Sequence, residues 1–355
     1  MHESLLLAAL KQATYGQGTC APNPCVGAVA VQNGIIIAQA WHQGAGKPHA
    51  EQLLLAQFPP KTPGVTVYCT LEPCTHWGRT PPCVDALIQH GIERLVFSYY
   101  DPNPLVAKNN ASQKLRDQGI EVLHIPLPEV DEFYKSYSYW TATKKPRVTV
   151  KMAQTLDGKI AGPHGERIQL SNTLCDAFTQ KMRAATDVIL TTAKTVNSDN
   201  PQMNVRMNHE VHSKPVAILD GRLSIKKEMQ IFHTASHCHI YHFDKVSVTY
   251  PNSSFYLIPE KNGIIDLAAV ISHLGSLGFH DVWVEAGGAV FTALHRLGLV
   301  HRTYLYLVPN NLGPDAVSAY QQEGLFNKAH KVSWQAMGDN MILGLDWQEV
   351  PCLPD

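Results

Sequence analysis

Three residues able to ligate zinc are split between two stretches of this chain, Pro48-His49-Ala50-Glu51 and Glu72-Pro73-Cys74 with Pro81-Pro82-Cys83, and a fold that joins them is tightly constrained. Pro48 precedes a helix-like run that starts at His49. Both cysteines lie where an apolar, β-branched segment, 65–71, gives way to a helix-like segment, 83–90. One strand end and two helix starts must therefore converge. With only three protein ligands, zinc keeps a position open for water, which points to catalysis more than to scaffolding. A closed structural site would need a fourth ligand, for which His76 is the candidate.

The positive end of a helix and a bound zinc both favour the thiolate form of Cys74 and Cys83. Glu51, two residues from the ligand His49 and not itself a ligand, is the natural general acid/base for a metal-bound water. It can take the water proton and deliver it to a ring nitrogen and a leaving amine. His-x-Glu followed by a Pro-Cys pair is the zinc nucleobase-deaminase signature, so hydrolysis of an exocyclic amine is the expected chemistry.

With 355 residues, 45% hydrophobic and 17% charged, the chain is long enough for two domains with substantial cores. Segments 3–12, 49–58 and 83–90 read as helices, the last ended by Gly91. Segments 26–31 and 34–40 read as a strand pair turned at Asn33-Gly34, and 65–71 and 95–98 as buried strands. This alternation predicts a three-layer α/β domain. A polar stretch, 141–147, marks a boundary, after which strands are expected at 148–152, 187–191, 215–219, 282–284 and 305–308, with a turn at Leu156-Asp157-Gly158. The net charge of −1 gives no electrostatic reason for duplex nucleic acid or anionic membrane binding. No stretch reaches the roughly 20 apolar residues of a membrane span, and the start of the chain lacks signal-peptide features. The need for reduced thiols at Cys74 and Cys83 places the expected site of action in the cytoplasm.

The longer string Thr70-Leu71-Glu72-Pro73-Cys74-Thr75-His76-Trp77-Gly78-Arg79-Thr80-Pro81-Pro82-Cys83 closely resembles the bifunctional deaminase-reductase family of riboflavin biosynthesis. The resemblance covers nearly the whole chain. It implies a cytidine-deaminase-like zinc domain over 1–143 and a dihydrofolate-reductase-like α/β domain over 147–355. The first removes an amine from a diamino-pyrimidinone ribosylamino phosphate; the second uses NADPH to reduce the ribosyl chain to ribityl. Pro22-Asn23-Pro24 with Val26-Gly27 resembles the substrate loop, where the Asn23 amide reads a pyrimidine edge, although Cys25 stands where asparagine is usual. Asp101-Pro102-Asn103-Pro104 is similar to a loop near the substrate mouth, and Arg79 is placed to face a phosphate. The expected partner is a small phosphorylated pyrimidine, and the expected assembly is a homo-oligomer.

The second half lacks Gly-x-Gly-x-x-Gly, which disfavours a Rossmann domain. It has Glu285-Ala286-Gly287-Gly288 after the strand 282–284, small residues that let backbone N–H groups approach a phosphate at a helix start. The resemblance implies substrate contacts at Arg183, Met203, Arg206 and Glu285, the arginines gripping phosphate. It implies cofactor contacts at Ala153, Thr195, Asp199, Gly287, Gly288, Ala289, Val290, Phe291, Thr292 and Ala293. Lys151 and Asp199 are candidates for placing charge near the reacting carbon. Arg167, Gln169 and Gly221 depart from the family pattern, which motivates an alternative: an active deaminase whose C-terminal domain is non-catalytic, binding nucleotide or holding subunits together.

Overall fold

Asn33 and Gly34 both take positive φ, 51° and 79°, so the chain reverses within two residues and pairs β1 (Gly27–Gln32) with β2 (Ile35–Trp41). In the computed structural model the described residues are 1–347 apart from 76, 78–80, 105–109, 246–247, 262, 321–324 and 327–328, and the side chains of 329 and 330. Two units are resolved, Met1–Lys144 and Lys145–Asp355. His76, Gly78, Arg79 and Thr80, singled out from the sequence, lie outside the described residues.

The first unit is a five-stranded sheet ordered β2-β1-β3-β4-β5, with β3 (Val65–Leu71), β4 (Arg94–Tyr99) and β5 (Glu121–His124) parallel to one another. Side chains alternate across it. Ala28 and Ala30 pack with Leu54, Val84, Leu87 and Leu115 of α2 (Ala50–Leu55), α3 (Cys83–His90) and α4 (Ala111–Asp117). On the opposite face Val29 and Val31 pack with Leu6, Val130 and Tyr134 of α1 (His2–Thr14) and α5 (Pro128–Thr143). The result is the expected three-layer α/β domain.

Gly27, read from the sequence as part of a substrate loop, has a packing role here. A Cβ on it would lie 2.0 Å from the Ala9 carbonyl oxygen and 2.4 Å from the Ala13 nitrogen. Helix α1 therefore rests directly on the β1 backbone. Gly27→Ala is expected to destabilise this unit by about 1–3 kcal/mol or more through overpacking, measured by urea denaturation of the full chain.

The second unit is built on a nine-stranded sheet ordered β10-β9-β8-β7-β11-β6-β12-β14-β13. These are β6 (Arg147–Thr155), β7 (Val188–Thr192), β8 (Pro215–Leu219), β9 (His237–His242), β10 (Ser253–Leu257), β11 (Asp281–Glu285), β12 (Arg302–Val308), β13 (Ala329–Met337) and β14 (Asn340–Trp347). The strands from β10 through β12 run parallel, and the β13/β14 hairpin continues the sheet antiparallel. Val282 and Val284 of β11 face a core shared with α8 (Leu267–Ser276) and α9 (Gly288–Arg296). Trp283 faces the other way, into a core with Ile189, Ile218 and Val196, beside α6 (Thr173–Ala185) and α7 (Ala193–Asp199). Both faces are thus covered, as a parallel sheet requires. Among the described residues no helix is long and apolar enough to cross a membrane.

Candidate active sites

His49 is the N-cap of α2, in extended conformation (φ −70°, ψ 161°), so its ring leaves the helix start rather than its side. Cys83 is the first residue of α3, after the N-cap Pro82. Cys74 follows β3, and its carbonyl accepts from Val84 N–H at 3.2 Å, which ties it to the start of α3. The three side chains meet as their spacing requires. His49 Nδ1 lies 3.2 Å from Cys83 Sγ and 3.5 Å from Cys74 Sγ, and all three candidate ligand atoms fall within 4.8 Å of one another.

This donor set, one imidazole nitrogen and two sulfurs, fits zinc with one position to spare. The electrostatics agree. A hydrogen bond from the Cys83 thiol, helped by His49 and by the Cys83 backbone N–H at 3.3 Å, holds Cys74 well below the usual thiol range against the opposing effect of burial. A divalent cation would let both sulfurs act as thiolates.

Glu51 is the second residue of α2, only 3% exposed, and its Oε2 has no hydrogen-bond partner among the described residues. Burial, reinforced by the charge of Cys74, raises its pKa above the usual carboxyl value. A buried carboxyl with an unfilled acceptor and a readiness to hold a proton is suited to proton transfer.

Asn23 Nδ2 lies 3.1 Å from His42 Nε2, and His42 Nδ1 lies 3.1 Å from the Pro48 carbonyl oxygen. A carbonyl only accepts, so Nδ1 carries the imidazole proton and Nε2 accepts from the Asn23 amide. Burial lowers the His42 pKa, in keeping with this neutral tautomer. His42 thereby ties the Asn23 loop to the residue preceding His49. It was not singled out from the sequence, where an isolated histidine carries no signal.

In the second unit, Arg183 on α6 is 8% exposed and grips Glu285 bidentately, Nε to Oε1 at 2.6 Å and Nη2 to Oε2 at 2.9 Å. Its Nη1 donates to the Asn204 carbonyl at 3.0 Å, and Nη2 approaches Met203 Sδ at 3.7 Å. The guanidinium expected on a substrate phosphate is thus engaged by a carboxylate of the same chain. Arg206 is exposed, with Nη1 bound to Asn204 Oδ1 at 2.6 Å and Gln202 Oε1 at 3.0 Å, which aims it while its other guanidinium donors have no partner among the described residues. Lys151 is the register partner of Glu285 on the neighbouring strand β6, and its Nζ sits 4.9 Å from the centre of the Tyr306 ring. Burial pushes the Lys151 pKa down, opposed chiefly by Glu285.

Of the expected cofactor residues, Ala153 lies near the carboxyl end of β6, Thr195 and Asp199 in the helix that follows β7, and Gly287 to Ala293 at and within the start of the helix that follows β11; open α/β sheets bind ligands beyond such strand ends. Thr192 caps α7 by accepting from Thr195 N–H at 3.1 Å, and Asp199 ends that helix. Ala153 lies on β6 opposite Tyr306 of β12. Gly287 is exposed, with nothing among the described residues within 4 Å of where its Cβ would be, whereas a Cβ on Gly288 would lie 2.5 Å from the Ala319 carbonyl oxygen. Gly288 therefore serves packing, and among the described residues Gly287 does not. Ala289 is exposed and Val290 and Ala293 are half-buried, while the side chains of Phe291 and Thr292 are buried. Gly221 has a physical explanation: a Cβ there would meet the Phe243 ring at 2.4 Å. Arg167 and Gln169 are exposed.

Residues 1–99 match the cytidine and deoxycytidylate deaminase zinc-binding region, and residues 146–343 match the RibD C-terminal domain. A zinc-deaminase domain followed by a reductase domain defines a bifunctional deaminase-reductase. The chain is 35% identical to the riboflavin biosynthesis protein RibD of Escherichia coli (strain K12) over 328 residues, 88% of this chain and 89% of that relative. It is 34% identical to RibD of Haemophilus influenzae, over 92% of this chain and 91% of that one. The crystal structure of a diaminohydroxyphosphoribosylaminopyrimidine deaminase/5-amino-6-(5-phosphoribosylamino)uracil reductase from Thermotoga maritima has a TM-score of 0.86 at 28% identity, covering 98% of this chain and 99% of that chain. RibD of Acinetobacter baumannii gives a TM-score of 0.85 at 27% identity, over 98% and 99%. The chain belongs to the RibD family of riboflavin biosynthesis proteins.

Proposed function

We propose that this chain catalyses two consecutive steps of riboflavin synthesis, deamination in residues 1–143 and reduction in residues 147–355. The first substrate is 2,5-diamino-6-(ribosylamino)pyrimidin-4-one 5′-phosphate. The observation that carries the reading is the convergence of His49, Cys74 and Cys83 near Glu51, whose Oε2 has no hydrogen-bond partner among the described residues. Zinc held by the three ligands would supply a Lewis-acidic site that makes a water nucleophilic near neutral pH. Glu51 takes one proton from the water and passes it to the ring nitrogen as the water oxygen bonds the carbon; it then takes the remaining proton of the new hydroxyl and passes it to the amine, so the C–N bond breaks, the C=O forms and ammonia departs with the carboxylate restored. Asn23, oriented by His42, reads the pyrimidine edge.

In the second half NADPH would supply the hydride, and the protein's part is orientation. Lys151 brings positive charge to the face that carries Glu285, Arg206 offers open donors for the phosphate, and Thr195, Asp199 and the 287–293 segment hold the cofactor. A C-terminal domain without catalysis is disfavoured, because the chain spans its RibD relatives almost completely.

Purified protein given the diamino substrate and NADPH should release ammonia and consume NADPH. Chelation should abolish ammonia release, and added zinc should restore it. NADPH loss with the already deaminated product should withstand chelation; its absence in untreated protein would leave only the deaminase half of the proposal. Action in the cytoplasm belongs to the same reading and rests on the free thiols at 74 and 83. So does a homo-oligomer: the edge strand β13 exposes Val332 (53%) and Trp334 (59%), and the mass of a single chain by light scattering would overturn it.

A further inference from the structure

We infer that Trp283 is a positioning residue of the reductase half: with Arg183 it fills Glu285 Oε1, so that Glu285 meets the substrate through Oε2 alone. The inference rests on the reductase reading above, and goes beyond it in assigning a function to a core residue and an atom to the contact.

The geometry begins with strand alternation. Trp283 and Glu285 are two residues apart on β11 and leave the same face of the sheet, while Val282 and Val284 enter the opposite core. Trp283 is 1% exposed and belongs to the cluster of Ile189, Val196, Met203 and Ile218. Any large apolar side chain would serve that packing. Indole differs by one polar group, and that group is used: Nε1 donates to Glu285 Oε1 at 2.8 Å.

A carboxylate has room for about four hydrogen bonds, two at each oxygen. Glu285 Oε1 receives Arg183 Nε at 2.6 Å and Trp283 Nε1 at 2.8 Å, and is full. Oε2 receives only Arg183 Nη2 at 2.9 Å. Among the described residues one acceptor position therefore remains, on Oε2. The ligand group it suits is a hydroxyl or a protonated nitrogen of the substrate, on the sheet face that also carries Lys151. Losing the indole donor would leave Oε1 with an unfilled buried lone pair and free the carboxylate to turn toward it.

The test compares unmodified protein, Trp283→Phe, Glu285→Gln and the double variant, following NADPH oxidation with deaminated substrate and ammonia release with the diamino substrate. Trp283→Phe should lower the reductase kcat about 10- to 100-fold, as expected for a lost hydrogen bond to a charged group. The KM for NADPH should stay within about twofold and ammonia release should be unchanged. On the Glu285→Gln background the same change should cost less than about twofold, because the indole acts through the carboxylate. Equal losses on both backgrounds, or no loss on either, would overturn the inference. If Trp283→Phe does not fold, benzothienylalanine placed at 283 keeps the ring shape without the N–H and must give the same result. No NADPH oxidation by unmodified protein would sink the reductase reading itself, an outcome distinct from a normal rate in Trp283→Phe.

Discussion

Glu51→Gln is expected to reduce ammonia release by about 10³-fold while the protein still binds one zinc, because the proposed function makes Glu51 the proton carrier and leaves it outside the three candidate ligands. Glutamine preserves the shape of the buried side chain and removes only its capacity to accept and return a proton. NADPH oxidation with deaminated substrate should be unaffected. Metal content by atomic absorption and ammonia release together decide the matter. A variant that keeps its zinc and more than a tenth of its rate would mean that the proton passes elsewhere, and a loss of zinc would make Glu51 a ligand. A zinc-stabilised binding module, by contrast, would be indifferent to the change.

Arg183→Met should destabilise the reductase unit by about 3–5 kcal/mol, since it leaves a carboxylate whose side chain is only 13% exposed without its two charge-assisted bonds. The effect has a pH signature. Burial raises the Glu285 pKa, but Arg183 more than reverses this and holds the group at about 2, against an ordinary value of 4.5. With the folded value depressed, the pair's contribution is fully present above pH 4.5 and is lost as pH falls toward 2. In Arg183→Met burial acts unopposed by the guanidinium and Glu285 moves the other way, so its penalty grows as pH rises above the ordinary value. The gap between variant and unmodified protein should therefore be wider at pH 7.5 than at pH 5. Urea denaturation of the full chain at both values measures it, and a gap independent of pH would mean that the methionine merely disturbs packing.

Local signals in the chain locate many elements closely. Segment 83–90 is a helix ended by Gly91 at φ 77°, and 65–71 is a strand, because a left-handed glycine stop and an unbroken β-branched run are local. The C-terminal hairpin was not legible. Residues 331–336 of β13 are all exposed, so no alternation of buried and exposed positions marks the strand, and pairing with β14 alone defines it. The role of Gly27 was equally hidden, since the atoms it must avoid belong to a helix some 15 residues earlier.

The same division runs through the sites. The candidate ligands, their order and a candidate general base were legible in the sequence alone, because zinc chemistry depends on which atoms are offered and the Pro-Cys context carries that information locally. What only the tertiary structure decided is which polar atoms are already occupied. Arg183 is a free cation in the sequence and a committed one in the fold; Trp283 is a core residue in the sequence and a donor to Glu285 in the fold; Asn23 acquires an orientation through His42. Two of these bonds join residues 19 and 102 positions apart, and the third, within one strand, depends on the burial that turns both side chains of that face inward; neither long-range pairing nor burial is encoded in any short stretch of the chain.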